Sequence, residues 1–278
     1  MASAVDPRWI SSGLCERSIE KVKVELNETP ERREEGLAAL REKIREYTVE
    51  HEDFTLRKDT DKFLIAFLRA RKYDVERAMS LLLNYHLFRK KHADLIEDAD
   101  LNSVRPILEH QVVCVFGDRD SEGRRMFMFR PGRIDQGSFK MKDALRTLIY
   151  VLDHVIEDEE TQVNGFVFIQ NFADMTMGKV LMFDRSRVSV VMELFQDAFP
   201  ARFKGFHLVN QSSLFSIVWA LVKPFMKQKL RERYHFHGAD RESLFSKVAK
   251  RDVPHEVDGD RPAYDPQDVL SFLTSLQG

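Results

Sequence analysis

Cysteine is almost missing from this chain: Cys15 and Cys114 are the only two among 278 residues. Two isolated thiols build neither a disulfide framework nor a zinc site. Net charge is nearly missing too, at -2. Attraction to an anion must therefore come from a local patch, and the bulk composition gives no sign of nucleic acid. The longest apolar run, near Leu214–Val222, falls short of the roughly 18–20 residues that span a bilayer. Met1-Ala-Ser-Ala-Val-Asp-Pro-Arg8 holds no apolar leader segment, so the expectation is a soluble, cytoplasmic chain. On that expectation the sequons at Asn27-Glu28-Thr29 and Asn210-Gln211-Ser212 stay unmodified. No phosphate-binding glycine loop, nucleophile elbow or Cys/His or Ser/His pairing stands out. This argues against an enzyme and against a metal or organic cofactor.

What is present is helix-forming sequence, then an alternation. No glycine occurs between Gly36 and Gly117, which favours helices over hairpins there. Ser18–Leu26 and Glu31–Glu50 are charged, the latter with a sparse apolar stripe of Leu37, Leu40, Ile44 and Tyr47, as in a surface helix laid over a core. Asp59 or Thr60 can cap a helix through Phe67 and Leu68, and Asp74 can cap the next, with Ala78, Leu81, Leu82 and Tyr85 at helical spacing. The texture changes near Leu101–Pro106. Val112–Phe116 and Met126–Phe129 read as strands joined by the polar loop 117–123, hence a hairpin. Lys140–Glu157 reads as a helix with Leu145, Leu148, Ile149, Leu152 and Ile156 on one face. Phe166–Ile169, Phe206–Val209 and Tyr234–Phe236 read as strands. One long helical segment precedes Pro200, an apolar helix follows Val209, and Pro266–Leu276 closes the chain. Strands alternating with helices indicate parallel βαβ units.

Several constellations have a bland reading beside a chemical one. The loop Asp118-Arg-Asp-Ser-Glu-Gly123 imitates half of a calcium loop, but Phe129 stands where the bidentate Glu belongs and strands flank it. His235 and His237 share a strand face, with no third ligand at metal spacing, which favours a structural pair. Between Arg202 and Arg233 stand seven Lys/Arg and one acid, Glu232, around the apolar run Leu214–Met226. That pairing of charge and grease fits either a solvated face over a buried helix or a surface for an anionic membrane. Phe is abundant, 21 against 2 Trp and 6 Tyr, which suits a core or the wall of an apolar cavity.

Phe67-Leu-Arg-Ala-Arg-Lys-Tyr73 resembles the "FLRARKF" signature of the N-terminal helical region of CRAL-TRIO lipid-exchange proteins. Glu159-Glu-Thr-Gln-Val-Asn-Gly-Phe166, Asp197-Ala-Phe-Pro-Ala-Arg-Phe203, Gly205-Phe-His-Leu-Val-Asn210, Val222-Lys-Pro-Phe225 and Tyr234-His-Phe-His-Gly238 follow in that family's order and spacing. Val253-Pro-His-Glu-Val-Asp-Gly259 resembles its "LPxEYGG", departing at Val257 and Asp258. The resemblance spans about residues 15–275. It is nearest the branch of retinaldehyde-binding, tocopherol-transfer and clavesin proteins.

That resemblance implies an α/β protein: a helical N-terminal domain (1–98), then a CRAL-TRIO domain (99–278). In the latter a mostly parallel sheet floors an apolar pocket under a lid helix at about Ser212–Met226. It implies a phosphoinositide-binding set of Arg71, Arg202, Lys204, Lys229 and Arg233. The implied pocket is lined by Leu145, Leu148, Leu152, Phe166, Phe168, Gln170, Val191, Leu194, Phe195, Phe206, Leu208, Phe215, Val218 and Leu221. Gln170 replaces the Glu of the retinaldehyde branch, and Leu152 a Ser of the tocopherol branch, so neither ligand is secured. The implied function is binding and transfer of a retinoid, tocopherol or similar isoprenoid by a monomer. Its partners are that ligand and a phosphoinositide-containing endosomal or plasma membrane, met peripherally, with no nucleic acid. A phosphoinositide-binding adaptor of vesicle traffic is the alternative.

Overall fold

The computed structural model describes residues 5–277, so part of the leader reading, residues 1–4, lies outside it. Local capping explains most helix starts. α1, Glu16–Lys21, runs into a π turn, Val22–Leu26, closed by Asn27 at φ 55°. α2, Pro30–Glu50, begins where the Thr29 side chain accepts the Arg32 N–H and Pro30 takes the first helical position. It buries Leu37, Leu40 and Ile44. Thr60 and Asp74 cap α3, Asp61–Ala70, and α4, Val75–Lys91, in the same way. Between them Lys72 and Tyr73 take left-handed φ values of 54° and 61° and turn the chain sharply. Two shorter helices, α5 (Ala93–Ile96) and α6 (Leu101–Glu109), lead to the sheet.

β1, Val113–Val115, pairs antiparallel with β2, Arg125–Phe129, which is the expected hairpin. β3 (Phe166–Asn171), β4 (Phe203–Val209) and β5 (Tyr234–Gly238) then add in parallel, in the order β1-β2-β3-β4-β5. Crossovers are α7 (Met141–Val155) and α8 (Glu159–Asn164), then α9 (Met177–Val180) and α10 (Arg185–Glu193), then α11 (Phe215–Val222) and α12 (Gln228–Arg231). α13 (Arg241–Phe245) and α14 (Pro266–Ser275) finish the chain.

One expectation is corrected here. The long helix before Pro200 is divided, because Thr176 and Asp184 each cap a separate start and the last turn, Leu194–Ala198, is a π turn. A six-residue helix, α8, stands before Gly165, capped by Asp158. At Gly165, φ 80°, an added Cβ would lie 2.0 Å from the Arg202 carbonyl oxygen. Only glycine allows β3 to start so close to Arg202.

One contiguous apolar core runs from Trp9 through α2–α4 to Leu273, so it crosses the expected domain boundary at residue 98. A buried ion cluster bridges the same boundary. The Arg69 guanidinium, on α3, donates to both Glu28 oxygens at 2.9 and 2.8 Å and to Gln162 at 2.9 Å, and lies 2.9 Å from Glu159. The N-terminal segment is strapped down by buried Arg125, which donates to the carbonyls of Arg8 and Trp9 at 3.0 and 2.9 Å. Trp9 stacks on Phe272 of α14, ring centroids 4.6 Å apart. At the degenerate "LPxEYGG" loop, Val257 is fully buried and Asp258 adopts φ 64°, its carboxylate held by Arg241 at 2.8 Å.

Candidate functional site

A cavity opens at the C-terminal ends of the parallel strands, between the sheet, α7, α10 and α11. Its volume is about 120 Å³. That is smaller than the roughly 300–1,000 Å³ of most small-molecule sites. Nine of the residues expected to line it do so: Leu145, Leu148, Phe168, Gln170, Val191, Phe195, Leu208, Phe215 and Val218.

Leu152, Phe166, Leu194, Phe206 and Leu221 do not, for a positional reason. Phe166 lies at the N-terminal end of β3, closed off by Phe127 and Phe203 at 5.7 and 5.8 Å. Phe206 is covered by Phe195 at 5.2 Å and Tyr234 at 4.6 Å. Leu152 is fully buried one turn beyond Leu148, towards that same filled end. Leu194 is 1% exposed within the π turn that packs on α4. Leu221 stays half-buried on α11, away from the cavity. The unanticipated lining includes Phe127, Met128 and Phe129 of β2, Met141 and Ala144 of α7, and Tyr234 of β5. Phe129 and Met141 carried a usable signal, since each ends or starts an element beside an expected wall.

Three lining side chains are polar: Gln170, Arg187 and Tyr234. Arg187 belongs to the first turn of α10 and pairs with the exposed Asp184 at 3.0 Å. Burial pushes the Tyr234 phenol well above its ordinary value, opposed by a hydrogen bond with Gln170. Gln170 and Tyr234 thus form the neutral polar spot of an apolar wall.

α11 covers the cavity and has two apolar faces. Phe215, Val218, Trp219 and Val222, at helical spacing, face inward. Ile217, 47% exposed, and exposed Ala220 face outward beside Ser216, and exposed Pro224 follows in the turn after the helix. Exposed Phe236 abuts Trp219 at 4.7 Å, and α9, which presents exposed Met177, packs on α11. The helix is eight residues long with no side-chain cap, and short uncapped helices are marginal alone. Gln196 ties its far end down: its amide oxygen accepts the Lys227 N–H at 2.6 Å and its NH₂ donates to the Phe225 carbonyl at 3.0 Å.

Beyond that end, α12 carries Lys229 in among a group of cations. Lys229 is pushed below its ordinary value by burial and then by Arg233, Arg77, Arg71 and Lys72. Arg71 is lowered by burial and Arg77, against Asp197. Arg233 is lowered by burial and Arg202, against Glu232. Lys204 is brought to about 8 by burial and Arg202, against Glu25. All five expected cations therefore share one electrostatic neighbourhood, joined by Lys72 and Arg77. Arg202 and Lys204 pair with Glu25, the latter at 3.2 Å. No carboxylate among the described residues pairs with Arg71, Lys72, Arg77, Lys229 or Arg233.

Two further polar groups are held by their own neighbours. His207 Nδ1 and His237 Nε2 lie 3.1 Å apart, His237 Nδ1 meets Ser243 at 2.8 Å, and burial depresses both rings. In the calcium-like loop the Asp120 carboxylate accepts the Glu122 and Arg124 N–H groups. Among the described residues no helix is long and apolar enough to cross a membrane.

Comparison with known proteins agrees with this architecture. Family models match twice: the CRAL/TRIO, N-terminal domain over residues 19–84 and the CRAL/TRIO domain over 109–259. The human alpha-tocopherol transfer protein-like protein is 32% identical over 253 residues, covering 91% of this chain and 72% of its own length. Rat clavesin-1 is 32% identical over 258 residues, covering 92% and 72%. The crystal structure of Sfh5 superposes with a TM-score of 0.50 at 13% identity, over 77% of this chain and 82% of that one. This last likeness is one of fold alone.

Proposed function

The chain belongs to the CRAL/TRIO family, and from that premise we propose that it binds a small hydrophobic ligand and passes it between membranes without chemical catalysis. The observation that carries this reading is an apolar cavity whose covering helix is apolar on both faces and leads directly into the cation cleft. The relative named for tocopherol transfer supports the cargo class: retinoid, tocopherol or another isoprenoid with one neutral polar group for Gln170 and Tyr234. Burying roughly 400 Å² of such a ligand stabilises it by about 10 kcal/mol, before the costs of association. So tight a hold needs a release device.

In this reading the head group of a phosphatidylinositol bisphosphate engages Arg71, Arg202, Lys204, Lys229 and Arg233. Arg forks suit phosphate oxygens. α12 moves with the head group, the Gln196 tether gives, and α11 exchanges cavity contacts for bilayer contacts through Ile217 and its neighbours. A head group drives this only by binding the open state more tightly. The protein then works peripherally, at an endosomal or plasma membrane. Transfer between vesicles with and without phosphoinositide tests it, and equal rates reject it. Mass spectrometry of an organic extract of the purified protein identifies the cargo.

The match to clavesin-1 favours a second reading, a phosphoinositide-reading adaptor of vesicle traffic whose cavity is secondary. It differs in one outcome: filling the cavity leaves its function intact.

A further inference from the structure

Two of the cleft's cations are already engaged. Glu25 Oε2 accepts from the Arg202 guanidinium and, at 3.2 Å, from the Lys204 ammonium. The carboxylate arrives from 177 residues away in sequence, carried by the π turn Val22–Leu26. That turn is anchored: Val22 and Leu26 are buried against Val163. The same residue's carbonyl oxygen accepts from Arg202 at 2.5 Å. A π turn holds one residue more than an α turn, and such turns recur at functional sites. Here it turns Glu25 toward β4 while Val22 and Leu26 keep their buried places. Burial would raise the Glu25 carboxyl, but the Arg202 bond and the nearby Lys204 charge override it and hold it at about 2.

We propose that Glu25 is a built-in competitor that occupies the phosphate-oxygen position on Arg202 and Lys204, and that it makes the cleft selective for head groups carrying several phosphates. This rests on the reading of the cleft as a head-group site. A singly charged anionic lipid that displaces Glu25 exchanges one carboxylate-type partner for another and gains little. A bisphosphorylated head group recovers the loss at once, because Arg71, Lys72, Arg77, Lys229 and Arg233 stand nearby without paired carboxylates. The competitor thus weighs most on an anion that depends on Arg202 and Lys204 alone, and far less on one that can settle its phosphates on the unpaired cations while Glu25 stays in place.

The test uses the full chain and the near-isosteric Glu25→Gln, which keeps the hydrogen-bonding shape and removes the charge. Binding is measured to phosphatidylcholine vesicles carrying either phosphatidylserine or phosphatidylinositol bisphosphate at equal total charge. Soluble inositol trisphosphate is titrated in parallel, to separate the head group from its chains. Glu25→Gln should raise phosphatidylserine binding roughly two- to fivefold, the scale of a partly exposed ion pair, and lower the bisphosphate-to-serine preference. A preference unchanged in Glu25→Gln, with bisphosphate binding that still depends on Lys229 and Arg233, overturns the competitor alone. If Lys229→Ala/Arg233→Ala binds bisphosphate vesicles as well as wild type, both the cleft and its competitor fall. Thermal melts confirm that the compared chains are folded. Inositol trisphosphate that binds tightly to chains showing no vesicle preference also overturns the proposal, by assigning the cleft to a soluble polyphosphate.

Discussion

Replacing Lys229 and Arg233 together by alanine isolates the electrostatic half of the proposed mechanism. Lys229 is exposed and Arg233 half-buried, and neither lines the cavity. Each cation near an anionic leaflet contributes about 1 kcal/mol, so the double variant should lose about 2 kcal/mol, or roughly 30-fold in vesicle affinity. Folding stability should hold or rise. Lys229 is already penalised by burial and by Arg233, Arg77, Arg71 and Lys72, so removing two charges relieves repulsion. Co-sedimentation with bisphosphate vesicles measures the first effect and a thermal melt the second. Affinity for a fluorescent apolar ligand in vesicle-free solution should not change. Raising the salt should erase the difference between the chains, because screening shortens the reach of the exposed charges to about 3 Å at 1 M. Equal vesicle affinity and equal transfer rates at low salt would refute the assignment of the cleft.

Three further outcomes follow from the same structure. Leu148→Trp projects into the cavity, so ligand loading should collapse while vesicle binding persists. A fall in stability beyond the roughly 1–3 kcal/mol of overpacking a dense core would show that no cavity takes the ring. Lys204, held at about 8, loses its proton as pH rises from 7 to 9, so vesicle binding should weaken over that range, and Lys204→Arg should flatten the profile. The stability contribution of this lysine has the opposite sign: between about 8 and its ordinary value the unfolded chain holds more protons, so folding is favoured as pH rises. Arg69→Met leaves the Glu28 carboxylate, 6% exposed, without its main partner. A cost of about 3–5 kcal/mol is expected in a denaturant melt, and less than about 1 kcal/mol would show that Glu28 is not trapped.

The motif Phe67–Tyr73 shows what sequence can and cannot reveal. Its resemblance led to Arg71, which does lie in the cation cleft. Arg69, two residues earlier, became the ion-pair centre between the helical region and α8. Its partners Glu28 and Gln162 lie 41 and 93 residues away, and no local spacing announces them. Lys72 and Arg77 escaped notice because the tight turn at Lys72 and Tyr73, not periodicity, brings them beside Lys229. The resemblance implied Leu145, Leu148, Phe168 and Leu208 as pocket wall, and all four lie against the cavity. It could not say how deep along that wall packing stops, so Leu152, Phe166 and Phe206 fell on the filled side. The division between α9 and α10 was legible in principle, since Thr176 and Asp184 are ordinary caps. The two π turns were not, because an extra residue in a turn leaves no mark in composition.

The strap at Trp9 has a consequence in time. The chain leaves the ribosome from its N-terminus, and domains generally fold as units in that order. Yet Trp9 has no ring to stack on until Phe272 has been made, and Arg8 none of its 2.6 Å contact with Asp268. The nascent helices must therefore wait, part-exposed, until α14 has been made before this part of the core can close. A stalled or shortened product should be handled by chaperones along much of its length, however intact its sheet.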